Sequence, residues 1–302
     1  MKGPDFICIG MPKAGTGWLY DQLDAHPGFW MPPVKELVYL NHSHPALAFV
    51  SDAGDAVRPR KERLARQRGT SPQTKSATGE RRVHRDPLTE RDLAFLHYAS
   101  TGRGKPMDLE FYAGLFWFSG KQLSGDITPP YCNIESDTVR RVAQRFPQAK
   151  ILLLVRDPIA RVWSRICMSY AGKGFDTNLL SDAVAFRTYI EHNRHKLGGP
   201  SATQTWQRWQ RHAPDMQRRL FFFDDLASEP ESVRRDVLIF LDADPAGGSG
   251  AIAPDYNRKA KAKLEMTPLA REVLIDRFRD ELLASAVVFG GPAHGWPAAY
   301  GL

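Results

Sequence analysis

Lys13 lies in the run Met11-Pro12-Lys13-Ala14-Gly15-Thr16-Gly17, directly after the apolar stretch 5–10. A turn of this kind presents successive backbone N–H groups. The helix that follows adds its own unpaired N–H groups, and together they form a nest for an anion. Gly15 and Gly17 let the backbone approach a ligand closely, and Thr16 can give its hydroxyl to the same anion or cap the helix. A nucleoside-triphosphatase loop reads G-x-x-x-x-G-K-[ST]. Gly10 to Gly15 fit its first six positions, but Thr16 and Gly17 stand where Lys and Ser/Thr belong, and the lysine has moved forward. An ordinary strand-to-helix turn is the alternative. A second constellation is Arg156-Asp157-Pro158-Ile159-Ala160-Arg161-Val162-Trp163-Ser164. Arg156 ends another apolar run, and Ser164 follows about two helical turns later. A guanidinium and a hydroxyl so placed can clamp a second phosphate. The alternative use of Arg156 is a salt bridge to Asp157 or Asp126.

The elements that must carry these groups follow from apolar patterning. Residues 5–10, 125–133, 150–158 and 219–226 read as extended segments, the last followed by a loop. Thr16 to Ala25 reads as a helix stopped by His26-Pro27-Gly28, and helices are expected over 89–99, 109–118, 135–146, 159–171, 182–212, 232–241 and 268–283. Short apolar strands alternating with longer helices predict an α/β fold with a parallel sheet. Ligands of such sheets sit at the carboxyl ends of the strands. The loops after Gly10, Val155 and Phe223 are therefore the places for a site. Trp206, Trp209 and Trp296 fit helix-packing positions.

The chain of 302 residues is 42% hydrophobic and 25% charged, ordinary for a globular protein with a sizeable core. It reads as a single domain over 1–302, with a polar, basic, partly mobile surface insertion around 42–106. The net charge of +7 suggests an anionic ligand or simply a solvated basic surface. Cys8, Cys132 and Cys167 have no metal-ligand spacing and read as thiols of a reducing compartment. No signal peptide fits before the first strand and no apolar run reaches the length of a membrane span, so a cytoplasmic protein is expected.

Taken together, the two anion motifs resemble the PAPS-dependent sulfotransferases, cytosolic and Golgi types alike. There a P-K-x-G-T-x-W-L loop holds the 5′ end of 3′-phosphoadenosine 5′-phosphosulfate (PAPS), and R-[DE]-P-x-x-R-x-x-S holds its 3′-phosphate. The stretches "KELVYL", "GDITPPY", "RLFFFDDLASEPESVRRDVLIFLDAD" and "LLASAVVFGGPAHGW" look like bacterial members of the same family. The resemblance implies a P-loop-NTPase-like parallel sheet flanked by helices on both faces, and sulfuryl transfer from PAPS to a hydroxyl with no metal required. 3′,5′-Phosphoadenosine (PAP) is the product.

Carried over residue by residue, it implies that Lys13 stabilises the leaving group. Pro12, Ala14, Gly15, Thr16, Gly17 and Trp18 form the 5′-phosphosulfate loop, and Arg156 and Ser164 take the 3′-phosphate. Asn257, Arg258 and Lys259 become candidates to cover the adenine. Glu36 matches the general base of heparan-type relatives, with His42 as the alternative and His26 read as structural. Lys35, His42 and Asp126 are candidate substrate contacts, Lys35 to the sulfate oxygens or to an anionic acceptor. The match with heparan-type relatives favours a carbohydrate or secondary-metabolite hydroxyl. Gly17 departs from the Ser or Thr of many relatives, and Ile127 from a lysine of the heparan type. The competing readings are a metal-dependent nucleotide kinase or phosphotransferase, against which the displaced lysine argues, and a polyanion binder. No recognisable nucleic-acid motif supports the latter.

Overall fold

A computed structural model describes residues 2–41, 89–102, 105–172, 174–197, 199, 201–253 and 264–302. Four short strands, β1 (Phe6–Cys8), β2 (Gly125–Ile127), β3 (Lys150–Val155) and β4 (Arg218–Phe222), form one parallel sheet in the order β2-β1-β3-β4. Phe6 pairs with Gly125 on one side and Lys150 on the other, and β3 runs beside β4 from Ile151 opposite Arg218 to Val155 opposite Phe222. Gly125 is required at its position, because a Cβ there would strike the Phe6 carbonyl. All of β1 is 0% exposed and Ile151–Val155 at most 2%. Strands buried on both sides need helices on both faces of the sheet, which is why they read as continuous apolar runs rather than alternating ones.

The helices are α1 (Thr16–Asp24), α2 (Glu90–Ser100), α3 (Leu109–Gly114), α4 (Ser136–Arg145), α5 (Pro158–Ala171), α6 (Ala183–His192), α7 (Arg194–Leu197), α8 (Ala202–His212), α9 (Phe223–Ser228), α10 (Pro230–Phe240), α11 (Pro268–Phe289) and α12 (Gly295–Ala298). Their starts are written in local chemistry. Asp157 caps α5 by accepting from Ile159 N and Ala160 N, with Pro158 in the first turn. Thr89 and Asp92 form a reciprocal capping box on α2, and Ser201 and Gln204 do so on α8. Trp206, Trp209 and Trp296 are buried in the core as the helical spacing predicts.

Several boundaries differ from the sequence reading. The last strand stops at Phe222, and 223–228 is a helix, not strand and loop. Asp224 and Asp225 in its first turn suit the positive end of a helix dipole. The 109–118 helix is only α3, followed by a 3-10 turn at Trp117–Ser119. Helix α11 runs on to Phe289, where Gly290 at φ 65 ends it. Of the 42–106 stretch, residues 42–88, 103 and 104 lie outside the described residues. Within it α2 is packed, with Phe95 and Ala99 at 0% exposure and the Trp30 ring edge-on to Phe95 at 5.6 Å.

The strand order sets the site. β1 has β2 on one side and β3 on the other, so the connections diverge between β1 and β3, and the crevice outside their carboxyl ends is the switch point of the sheet. The loop holding Lys13 and the turn holding Arg156 flank that crevice.

Candidate active site

The chain leaving β1 stays against β3, with Met11 N donating to Leu154 O at 2.8 Å, and then turns sharply. Lys13 has φ 67 and Gly15 φ 98, both left-handed. At Gly15 a side chain would be strained by the conformation and tightly packed, since a Cβ would lie 3.2 Å from Leu226 Cδ1 and 3.4 Å from Leu154 Cδ2. At Lys13 the same conformation is strained for a residue with a Cβ, and such strain persists where the surroundings enforce it. Gly15 is the N-cap of α1 and supplies no side-chain acceptor to the helix. A helix start whose N-cap residue brings no side-chain acceptor is suited to an anion. Thr16 is the first helical residue, not the cap, and is 5% exposed. Pro12 and Gly17 are half-buried and Ala14 is fully buried. Trp18 turns away into the core, its Nε1 donating to Ile252 O at 2.5 Å.

Arg156 closes the crevice from the β3 side. Its Nη1 donates to Lys13 O at 3.2 Å and its guanidinium lies 4.1 Å from the Phe223 ring centroid. Burial lowers its proton affinity. The carboxylates named as its alternative partners are engaged elsewhere. Asp157 caps α5 and accepts from Tyr300 OH at 2.5 Å, while Asp126 is buried among hydroxyls. Ser164 stands half-buried on α5, and no hydrogen bond joins it to Arg156.

Lys13 is the electrostatic centre. Burial, followed by the positive charges of Arg165, Arg156 and Lys35, pushes its pKa below the ordinary lysine value. Its Nζ lies 3.8 Å from Met168 Sδ. Like charges gathered at a half-buried spot cost energy unless an anion joins them. Arg165 was missed by sequence reasoning. The available signal was its i, i+3 spacing from Met168, which puts the two on one face of α5.

The segment 35–41 approaches the same crevice. Glu36 has φ 65 and Val38 φ 54, so two residues with side chains are held left-handed around buried Leu37. The Lys35 charge acts on both Lys13 and Cys8, which places this turn near the end of β1. Of the pair, it is Lys35 whose charge registers at Lys13. Glu36 is half-buried beside it in the chain.

Asp126, expected as a candidate acceptor contact, does not face the crevice. It is 1% exposed and accepts from Thr128 Oγ1 at 2.6 Å, Tyr131 OH at 2.6 Å and Tyr112 OH at 3.0 Å. Burial raises its pKa to about 6, while these hydrogen bonds and one from the Leu37 backbone pull the other way. His26 is structural. Its Nδ1 accepts from Gly28 N at 3.0 Å, so Nε2 carries the proton and donates to Asp244 O at 2.9 Å. His42, Asn257, Arg258 and Lys259 lie outside the described residues. Among the described residues no group of three or more His, Cys, Asp and Glu is placed to hold a metal ion, and no helix is long and apolar enough to cross a membrane.

Comparison with known proteins bears on the fold and the family. A sulfotransferase of Alicyclobacillus acidocaldarius superposes with a TM-score of 0.60 at 18% identity, over 98% of this chain and 99% of that one, and shares its P-loop-NTPase-like fold. The sulfotransferase domain of the Synechococcus PCC 7002 olefin synthase gives a TM-score of 0.46 at 20% identity, over 97% and 98%. No curated protein matches the chain. The family model described as "Sulfotransferase family" matches residues 4–245, spanning every strand of the sheet and the loops that hold Lys13 and Arg156, and the chain belongs to that family.

Proposed function

We propose that the chain is a PAPS-dependent sulfotransferase acting on a hydroxyl, with a carbohydrate or secondary-metabolite acceptor. The observation that carries this reading is the hydrogen bond of Arg156 to the Lys13 carbonyl at the carboxyl ends of β1 and β3, with the charges of Arg165 and Lys35 also acting on Lys13. That donor set fits a nucleotide bearing a 5′-phosphosulfate and a separate 3′-phosphate. Pro12 to Trp18 surround the 5′ end mainly by backbone, and Arg156 with Ser164 is assigned the 3′-phosphate. Asn257, Arg258 and Lys259 are assigned the adenine side. When bound, PAPS supplies the sulfuryl group and leaves as PAP. Lys13 keeps its ammonium where negative charge develops on the leaving side, a preorganised stabiliser in a dry site. Glu36 takes the proton of the acceptor hydroxyl, and Lys35 and His42 are acceptor contacts. The roles of Lys13 and Glu36 require no metal ion. Cys8, Cys132 and Cys167 are all in the thiol form, which suits a protein of the reducing cytoplasm.

The test is calorimetric titration with PAP, followed by incubation with labelled PAPS and a panel of carbohydrate, phenolic and natural-product hydroxyls read by mass spectrometry. Sulfated product without added Mg²⁺ supports the reading. Phosphorylated product from ATP and Mg²⁺ would replace it with a nucleotide-kinase-like phosphotransferase. Glu36→Gln keeps shape and hydrogen bonding but removes the proton acceptor. It is expected to remove most transfer while PAP affinity stays at the wild-type value.

A further inference from the structure

We propose that Asp126 is a positioning residue for sulfuryl transfer, latching the Lys35–Glu36 turn to the carboxyl end of β2 through the hydroxyls of Thr128 and Tyr131. The inference rests on the reading of that turn as part of the transfer site. The geometry is a pair of relays. Val38 N donates to Thr128 Oγ1 at 3.2 Å, and Thr128 Oγ1 donates to Asp126 Oδ1 at 2.6 Å. Leu40 N donates to Tyr131 OH at 3.2 Å, and Tyr131 OH donates to Asp126 Oδ2 at 2.6 Å. A hydroxyl has one proton. Each hydroxyl here accepts from a backbone amide and spends its proton on the carboxylate, so the relay has one direction, and it needs an acceptor at both carboxylate oxygens.

Two further contacts clamp the same segment. Tyr39 stacks on Tyr112 at 5.6 Å, Tyr112 OH donates to Asp126 Oδ2 at 3.0 Å, and Asp108 N donates to Tyr39 OH at 3.0 Å. The segment so held contains Glu36 at φ 65 and Val38 at φ 54, conformations that relax once the surroundings no longer enforce them. Asp126 therefore acts on the crevice without touching it. A leucine-like residue there would leave three buried hydroxyls without their acceptor, and an asparagine would offer an acceptor on one side only.

The experiment compares wild type with Asp126→Asn, Asp126→Ala and Tyr131→Phe. Hydrogen–deuterium exchange is followed in peptides covering 33–41, PAP affinity is measured by calorimetry, and PAP release from PAPS is followed in water and with the acceptor found in the screen. In variants that bind PAP as wild type does, exchange in 36–41 is expected to rise about tenfold or more. The kcat is expected to fall about tenfold with KM for PAPS unchanged, with Asn less affected than Ala. If none of the folded variants shows faster exchange, the latch is overturned. If exchange rises and kcat does not move, the positioning role is overturned. A fully active Glu36→Gln, by contrast, overturns only the assignment of the base, since exchange in 36–41 reads the latch without it. Should the Asp126 variants fail to fold, Tyr131→Phe alone decides, because it removes one relay and leaves the carboxylate in place.

Discussion

Arg156 Nη1 donates to the backbone carbonyl of Lys13 at 3.2 Å, although the two residues belong to loops leaving different strands. The two loops are therefore one unit. The Arg156 guanidinium thereby fixes the peptide from which the Lys13 side chain projects.

Lys13 carries both strain and charge, so its replacements are expected to separate stability from turnover. Lys13→Ala removes a preorganised charge stabiliser and is expected to reduce turnover by about 10²–10³ with the fold intact. Lys13→Gly is expected to lose the same turnover yet gain up to about 2.5 kcal/mol. Relief of strain at φ 67, about 1–3 kcal/mol, exceeds the entropy cost of glycine, about 0.5–1 kcal/mol. Thermal melting beside a turnover assay checks both, and a destabilised Lys13→Gly would show that the turn is not strained.

Arg156→Ala is expected to weaken PAP binding by about 2–5 kcal/mol, the usual loss on truncating a buried charge-pairing group. Arg156→Lys keeps the charge but loses the planar fork on Phe223, and is expected to recover only part of the affinity. Adenosine 5′-phosphosulfate, which has no 3′-phosphate, is expected to lose far less from either change. Equal losses for both nucleotides in calorimetry would place the 3′-phosphate elsewhere.

Arg165 is the largest charge holding down the proton affinity of Lys13, after burial. Removing that positive charge lets Lys13 stay protonated to higher pH. The basic limb of the pH–rate profile of Arg165→Ala is thus expected to move upward, whereas Lys35→Ala is expected to move it less. A downward move in either variant would contradict the electrostatic account.

Asp126 titrates near 6 in the folded protein against an ordinary value of 3.8. Between these values the folded state holds more protons than the unfolded one, so the contribution of Asp126 to stability falls as pH rises, on the order of 3 kcal/mol in all. Facing groups do not confuse the window. Tyr112 on α3, Tyr131 in the 3-10 turn at Pro129–Asn133 and Cys8 on β1 all keep their protons, their pKa values pushed up by burial. Urea unfolding from pH 4 to 7 is expected to show wild type losing stability relative to Asp126→Asn across this range. A constant difference would remove Asp126 as the titrating group.

What the sequence by itself determined is local. The apolar runs that became β1 and β3, Asp157-Pro158 at the start of α5, and the glycine that turns the chain at 15 each act through backbone geometry within a few residues, and each was legible before any contact was known. So were the positions of Lys13 and Arg156 at strand ends, because a parallel α/β sheet puts its ligand there. The tertiary structure alone decided the strand order β2-β1-β3-β4, which brings residues 13 and 156 to one crevice. It also decided that Arg165 and Lys35 converge on Lys13 from a helix and a turn far apart in sequence, and that Asp126, which sequence pattern offered to an acceptor, is taken by Thr128, Tyr131 and Tyr112. The physical reason is that charge and burial depend on which distant segments pack together, and residue type and spacing along one chain do not encode that distance.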